Sequence, residues 1–228
     1  YFEETQIMTI LALDTTTDTC KLGIRKDAVD FCCSAPAAKR QLDVVFPLLD
    51  DLLNSAGVKR QEIQNLIVPI GPGSFTGVRL TATIGRAIAT ALKVRLIGVS
   101  SLEALATTAA RTSKCSNIAT ATDAKRKQIY FAAYVFEEET NQSKTVVKDS
   151  ITPPSKITLP LGRPWALAGE GWHHYEDQLE RAFLPLEHTG VTETEISDIL
   201  DIGERKISQS KIEEDIVSPV YLRHPVDI

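Results

Sequence analysis

Two rhythms of apolar residues run along the chain, one recurring at every second position and one at every third or fourth. They are the periods of a half-buried strand and of an amphipathic helix. Residues 7–13 form a short apolar run, residues 19–25 alternate apolar and polar side chains, and residues 28–34 follow after the two-residue turn Lys26-Asp27. These predict three strands joined by hairpins. Residues 41–55 change to the helical period and stop before Gly57, a residue suited to closing a helix. A strand is predicted over 66–70, a helix over 78–92, a strand over 94–99, and a helix over 100–111 capped by Ser100 or Ser101. This β-β-β-α-β-α order defines an α/β lobe over residues 1–112.

The second lobe, residues 113–228, begins with strands predicted over 117–122, 128–136 and 144–150, and Pro153-Pro154 then breaks the pattern. A short strand over 165–168 follows, then helices over 172–183 and 193–203, the last ending at Gly203. The stretch 206–215 is polar. No internal repeat is visible in the sequence, and the second lobe is too small for a full set of nucleotide-gripping loops.

Chemistry concentrates where the fourth strand meets the second helix, at Gly71-Pro72-Gly73-Ser74-Phe75-Thr76-Gly77-Val78-Arg79. Gly71, Gly73 and Gly77 allow backbone angles or close approaches that a Cβ would forbid. Ser74 or Thr76 can cap the helix, and the helix start aims unpaired N–H groups at whatever lies in front. The loop lacks the Gly-Lys-Ser/Thr ending of a Walker A motif and the spacing of a dinucleotide fingerprint. It reads either as a phosphate loop or as a tight strand-to-helix joint. At the end of the first strand, Asp14-Thr15-Thr16-Thr17-Asp18-Thr19 forms a polar hairpin loop. The candidate nucleotide or phosphate loop therefore comprises Asp14, Thr15, Gly71, Gly73, Ser74 and Thr76.

The first helix is apolar on more than one side. Leu42, Val45, Phe46, Leu49, Leu52 and Leu53 make one stripe, which Val44 and Leu48 widen. A surface helix normally carries one stripe, so this helix is either wedged between sheet and loop or exposed to a partner. In the second helix Leu80, Ile84 and Ile88 form the larger face. Candidate partner-interface residues are Leu42, Val45, Leu48, Leu49, Leu80, Ile84 and Ile88.

Composition narrows the function. The 228 residues are 43% hydrophobic and 24% charged, with a formal net charge of −5. That is ordinary for a globular protein and argues against a broad basic face for RNA. No apolar run approaches the roughly 18–20 residues of a membrane span. Residues 1–7 show no signal-peptide pattern; a natural start at Met8 would make the residues before it foreign. Cys20, Cys32, Cys33 and Cys115 have no zinc or redox spacing. His173 and His174 are adjacent, about 100° apart on a helix, and so do not form a metal pair. A Gly-x-Ser-x-Gly elbow is missing. Asp123 is the candidate catalytic aspartate for a kinase reading, and its alternative is a turn residue beside Lys125-Arg126-Lys127.

A strand, an Asp-Thr-rich turn and an antiparallel strand also open the actin-like ATPase and sugar-kinase folds. Ile10-Leu11-Ala12-Leu13-Asp14-Thr15, the block from Gly71 to Arg79, and Gly98-Val99-Ser100-Ser101-Leu102-Glu103-Ala104-Leu105-Ala106 together resemble the TsaB (YeaZ) family. So do Asp123-Ala124-Lys125-Arg126-Lys127-Gln128-Ile129-Tyr130, Gly169-Glu170-Gly171-Trp172 and Pro219-Val220-Tyr221-Leu222-Arg223. The resemblance implies an α/β, two-lobed actin-like ATPase fold (ASKHA, RNase H-like) with a reduced second lobe. It implies a non-catalytic scaffold and dimerisation subunit of the bacterial complex that forms N6-threonylcarbamoyladenosine at position 37 of tRNA. The partners would be TsaD, which is the catalytic subunit, and TsaE, with a homodimer when the chain is alone. It further implies tRNA reached through the complex, no membrane association and a cytoplasmic location. No catalytic residue, metal or tightly bound cofactor is expected, although ATP or ADP could sit at the complex interface. The metal-binding His-x-x-x-His of TsaD has no match here. Lys39-Arg40-Gln41 replaces the family's usual start of the first helix, and Pro69-Ile70 its usual residues before Gly71. The alternative reading is an autonomous ATP-dependent kinase of the same fold.

Overall fold

In the computed structural model, β1 (Ile10–Asp14) lies at the centre of a five-stranded sheet and is buried along its whole length. Its apolar side chains serve both faces, because successive residues of a strand point to opposite sides. β2 (Thr19–Lys26) and β3 (Val29–Pro36) pair antiparallel on one side of it. β4 (Asn65–Pro69) and β5 (Arg95–Val99) pair parallel on the other, giving the order β3-β2-β1-β4-β5. The structure describes residues 8–137, 140, 142–161, 164–179, 187–209 and 218–222. The hairpin turn falls on Asp27-Ala28 rather than Lys26-Asp27, with Lys26 paired to Val29 and both turn residues left-handed, at φ 54° and 60°. That is the twist a two-residue hairpin demands.

α1 (Gln41–Ala56) and α2 (Phe75–Leu92) cover one face of this sheet. Val45, Leu49, Leu52 and Leu53 of α1 and Ile84 and Ile88 of α2 pack with Leu11, Leu13, Leu22, Ile24, Leu66 and Val68. Gly57, at φ 61°, closes α1. Pro47 lies inside α1, where its missing N–H removes the helical bond to the Asp43 carbonyl.

The other face of the sheet is covered by α5 (Ile196–Ser208), the C-terminal helix, so the units do not divide at residue 112. The first unit holds β1–β5, α1, α2 and α5. α5 does not end at Gly203 but continues to Ser208. A Cβ at Gly203 would overlap Ile67 Cδ1, so this glycine lets the helix lie close on β4. Arg25 of β2 fixes the same helix, donating from Nη2 to Asp201 at 2.6 Å and from Nη1 to Glu204 at 2.7 Å, while its Nε reaches Asp30 at 2.7 Å.

The second unit holds a second five-stranded sheet with α3 (Ser101–Ser113). Ser100 caps α3, accepting from Leu102 and Glu103 N–H at 3.2 Å each. Its strands are β6 (Asn117–Asp123), β7 (Ile129–Phe136), β8 (Ser143–Thr152), β9 (Ala166–Ala168) and β10 (Glu187–His188). Their order is β10-β9-β6-β7-β8, antiparallel through β6, β7 and β8 and parallel through β6, β9 and β10. Directions and neighbours thus repeat those of the first sheet, with β6 in the place of β1. The predicted helix over 172–183 is α4 (Gly171–His174), only four residues, followed by a 3-10 turn at Glu176–Gln178. Residues 180–183 of that prediction, and most of the polar stretch 206–215, lie outside the described residues.

Candidate functional site

The polar loop after β1 is built by its own side chains. Asp14 is nearly buried, and its Oδ1 accepts from Thr16 N–H at 2.8 Å and from Thr16 Oγ1 at 2.6 Å. This is the Asx-turn expected of an aspartate at a strand end. Thr15 is fully buried and committed to α2. Its N–H donates to Thr81 Oγ1 at 3.3 Å, and its hydroxyl lies 2.7 Å from the same oxygen. Thr81 passes its own proton to the Gly77 carbonyl at 3.0 Å. A Cβ at Gly77 would run into the Thr16 carbonyl, so the glycine permits the helix to approach the turn. The Thr15 N–H and hydroxyl are thus both engaged by a buried partner on α2, which is a packing role for this residue. Cys20 is buried too; burial first and the Asp14 carboxylate second push its thiol up to about 12, which removes it as a nucleophile.

The glycine-rich loop places its left-handed residue at Gly71, φ 99°, followed by a cis Gly71-Pro72 bond. The Gly71 carbonyl accepts from Ser101 N–H at 2.9 Å, so the loop is docked on the start of α3. Ser74 and Thr76 are exposed and Gly73 is half-buried. Of the six candidate loop residues, Asp14, Thr15 and Thr76 belong to the first unit and Gly71, Gly73 and Ser74 to the second.

At the end of β6, Asp123 repeats the Asx-turn of Asp14. Its Oδ1 accepts from Lys125 N–H at 2.7 Å and from the Tyr175 hydroxyl at 2.8 Å, and its Oδ2 meets Lys125 Nζ at 2.6 Å. Burial works to raise this carboxyl, but the hydrogen bonds from Lys125 and Tyr175 outweigh it and hold it below its ordinary value. These bonds are the geometry of the turn-residue reading of Asp123, beside Lys125. Among the described residues, no group of three or more His, Cys, Asp or Glu side chains is placed to hold a metal. No described helix is long and apolar enough to cross a membrane.

The interface prediction divides. Val45, Leu49, Ile84 and Ile88 are at most 6% exposed and belong to the core of the first unit. They are corrected from partner residues to core residues: the sheet beneath α1 and α2 takes the centre of each apolar stripe. Leu48 and Leu80 are half-buried against that core. Leu42, at 56% exposed, and Phe46, at 47%, remain outside on successive turns of α1. Sequence reasoning missed Phe75, which begins α2 at 61% exposed with the Arg79 guanidinium 3.5 Å from its ring centroid. Its place beside the glycines had marked it as loop.

Two α/β units with this strand order define an actin-like, two-lobed protein. A family model described as "TsaD: tRNA N6-adenosine threonylcarbamoyltransferase" matches residues 35–192, more than half of the chain. The protein named "tRNA threonylcarbamoyladenosine biosynthesis protein TsaB" of Escherichia coli K12 is 28% identical over 96% of this chain and 96% of its own length. The protein of the same name from Haemophilus influenzae is 27% identical over 97% and 96%. The solved structure "YeaZ from Pseudomonas aeruginosa" superposes with a TM-score of 0.86 at 26% identity, covering 94% of this chain and 100% of that one. The chain belongs to this TsaD-related family, in its TsaB (YeaZ) branch.

Proposed function

We propose that this protein takes part in threonylcarbamoyladenosine formation on tRNA as a non-catalytic subunit that binds and organises TsaD, in the cytoplasm and together with TsaE. The names of its relatives support the pathway. The observation that carries the subunit role is the outward apolar set Leu42, Phe46 and Phe75 on α1 and α2. Large apolar side chains left exposed on two helices that cover one sheet face fit a surface covered in an assembly. Leu48 and Leu80 of the same two helices are half-buried against the core. Alone, the chain covers this face with a second copy; in the complex TsaD displaces that copy, tRNA is reached through the assembly, and ATP or ADP is held at its interface. The locked Asp123 and the internally satisfied Asp14 and Thr15 support the absence of turnover by the chain itself.

Size-exclusion chromatography of the purified chain with and without TsaD tests this. Co-elution with TsaD, together with no ATP hydrolysis by the chain alone, is the expected result. Steady ATP hydrolysis by the pure chain, abolished by Asp14→Ala, contradicts it.

A further inference from the structure

Four strands end the two sheets, and three of those edges are blunted. β10 is two residues long. β8 carries Lys144 and Lys148, and its register against β7 shifts between Phe131 and Tyr134. On β5 the Gly98 carbonyl accepts from the Lys206 ammonium at 2.9 Å. β3 has none of these devices. Its eight residues pair with β2 without a register shift and include no Lys or Arg. Its single charge, Asp30, is held by Arg25 Nε at 2.7 Å. Among the described residues, no strand pairs with the outer side of β3. A long, regular edge of this kind is a template for another strand.

The hairpin fixes what the edge offers. Lys26 and Val29 close a two-residue turn, so they exchange backbone hydrogen bonds, and so does every second pair after them. Val29, Phe31, Cys33 and Ala35 therefore bond to β2, while Asp30, Cys32 and Ser34 turn their N–H and C=O outward. Pro36 comes next in the outward series and has no N–H, so the edge ends there. The side chains of Asp30, Cys32 and Ser34 are exposed on one face of the sheet. On the other face Phe31 and Cys33 pack against the core of the first unit.

We propose that this edge pairs, antiparallel, with the same edge of a second copy about a two-fold axis at Cys32. In that register Cys32 faces its own counterpart and Asp30 faces Ser34, so the outward residues bond only to one another. Phe31 then faces Cys33 and Val29 faces Ala35, which sets apolar side chains together and opposes no like charges. This self-match assigns a second copy rather than an unrelated strand. A two-fold contact also consumes both edges and stops there. The contact is a strand edge and not the helix face of the proposed subunit role, so it does not depend on that role. One strand edge buries less than a standard interface, so the pair forms reversibly and with concentration.

Sedimentation equilibrium of Phe46→Glu over a concentration series, in reducing buffer, tests the edge with the helix face disabled. Self-association that persists in this variant is expected. Adding Cys32→Lys or Cys32→Glu, each of which sets like charges across the axis, is expected to weaken it about tenfold or more. Mixing the two charged variants is expected to restore it, because Lys then faces Glu. Ser34→Asp, which faces Asp30 of the copy, is a second position expected to weaken pairing. Each variant is first checked for unchanged thermal unfolding. A monomeric Phe46→Glu chain, or a mixture that associates no better than its components, overturns the proposal. TsaD capture is measured with Phe46 intact: Cys32→Lys is expected to keep it. Capture lost in Cys32→Lys, with self-association unchanged, would assign the edge to TsaD and overturn the second copy as its occupant.

Discussion

Around β1 and around β6 the chain builds the same five-stranded arrangement, and the two copies fill their faces differently. In the first unit the strands carry Leu and Ile, and two helices of 16 and 18 residues lay further aliphatic side chains on one face. In the second, the strands present Ala119, Ala121, Ala132, Ala133, Ala166 and Ala168. Both tryptophans of the chain, Trp165 and Trp172, supply volume there together with Phe131. Trp172 is fully buried, its ring 6.1 Å edge-on from Phe131, and its Nε1–H is shared between the carbonyls of Ala119 at 3.2 Å and Ala168 at 3.1 Å. Beside the four-residue α4, a few large rings on small-residue strands supply the volume that long helices give the first unit. A core of many medium side chains spreads its stability; a core of few large ones concentrates it.

The largest expected effect follows from that concentration. Trp172→Ala should destabilise the protein by about 3–5 kcal/mol in urea unfolding, since the shortened elements around it have little freedom to collapse into the void. A cost below about 1 kcal/mol, the level of a minor methylene deletion, would show that the second unit does not depend on its rings.

Next comes the close approach in the first unit. Gly203→Ala should cost about 1–3 kcal/mol by overpacking against Ile67, and Ile67→Ala in the same molecule should recover part of that loss. Strictly additive effects would show that α5 and β4 do not touch at this pair.

A smaller change should go the other way. Lys127, in the turn between β6 and β7, is left-handed at φ 59°. Lys127→Gly relieves that conformation, about 1–2 kcal/mol, against the added freedom of the unfolded glycine. The expected balance is a gain of about 0.5–1 kcal/mol in thermal unfolding. Destabilisation would mean that the Lys127 side chain itself supports the turn.

These residues also mark what the sequence could disclose. The element order was legible because period two and period 3.6 are local properties: β1 to β5, α1, α2 and α3 fall within a few residues of where the pattern places them. Gly57 and Ser100 acted as the helix signals they resemble. Gly203 did not, because a stop and a close helix–strand approach require the same missing side chain, and only the partner strand distinguishes them. The division at residue 112 failed for a similar reason, since no local pattern says onto which sheet α3 or α5 will pack. In α1 the excess apolar width was visible, but periodicity cannot say which rim of a wide stripe the sheet takes. It took Val45 and Leu49 and left Leu42 and Phe46 outside. Among the loop candidates, Thr15 carried no sign that Thr81, 66 residues away, would occupy it.

That division of α1 gives the most direct measurement of the central claim, that this protein works by pairing through the outer face of its first two helices. Phe46→Glu and Val45→Asp are compared by thermal unfolding and by co-elution with TsaD. Phe46→Glu should unfold within the roughly ±0.5 kcal/mol of an ordinary surface change yet lose TsaD, because its charge is hydrated in the free chain and desolvated at the interface. Val45→Asp, with no exposure to lose, should fail to fold stably. Phe46→Glu that stays folded and still captures TsaD at wild-type strength contradicts the account.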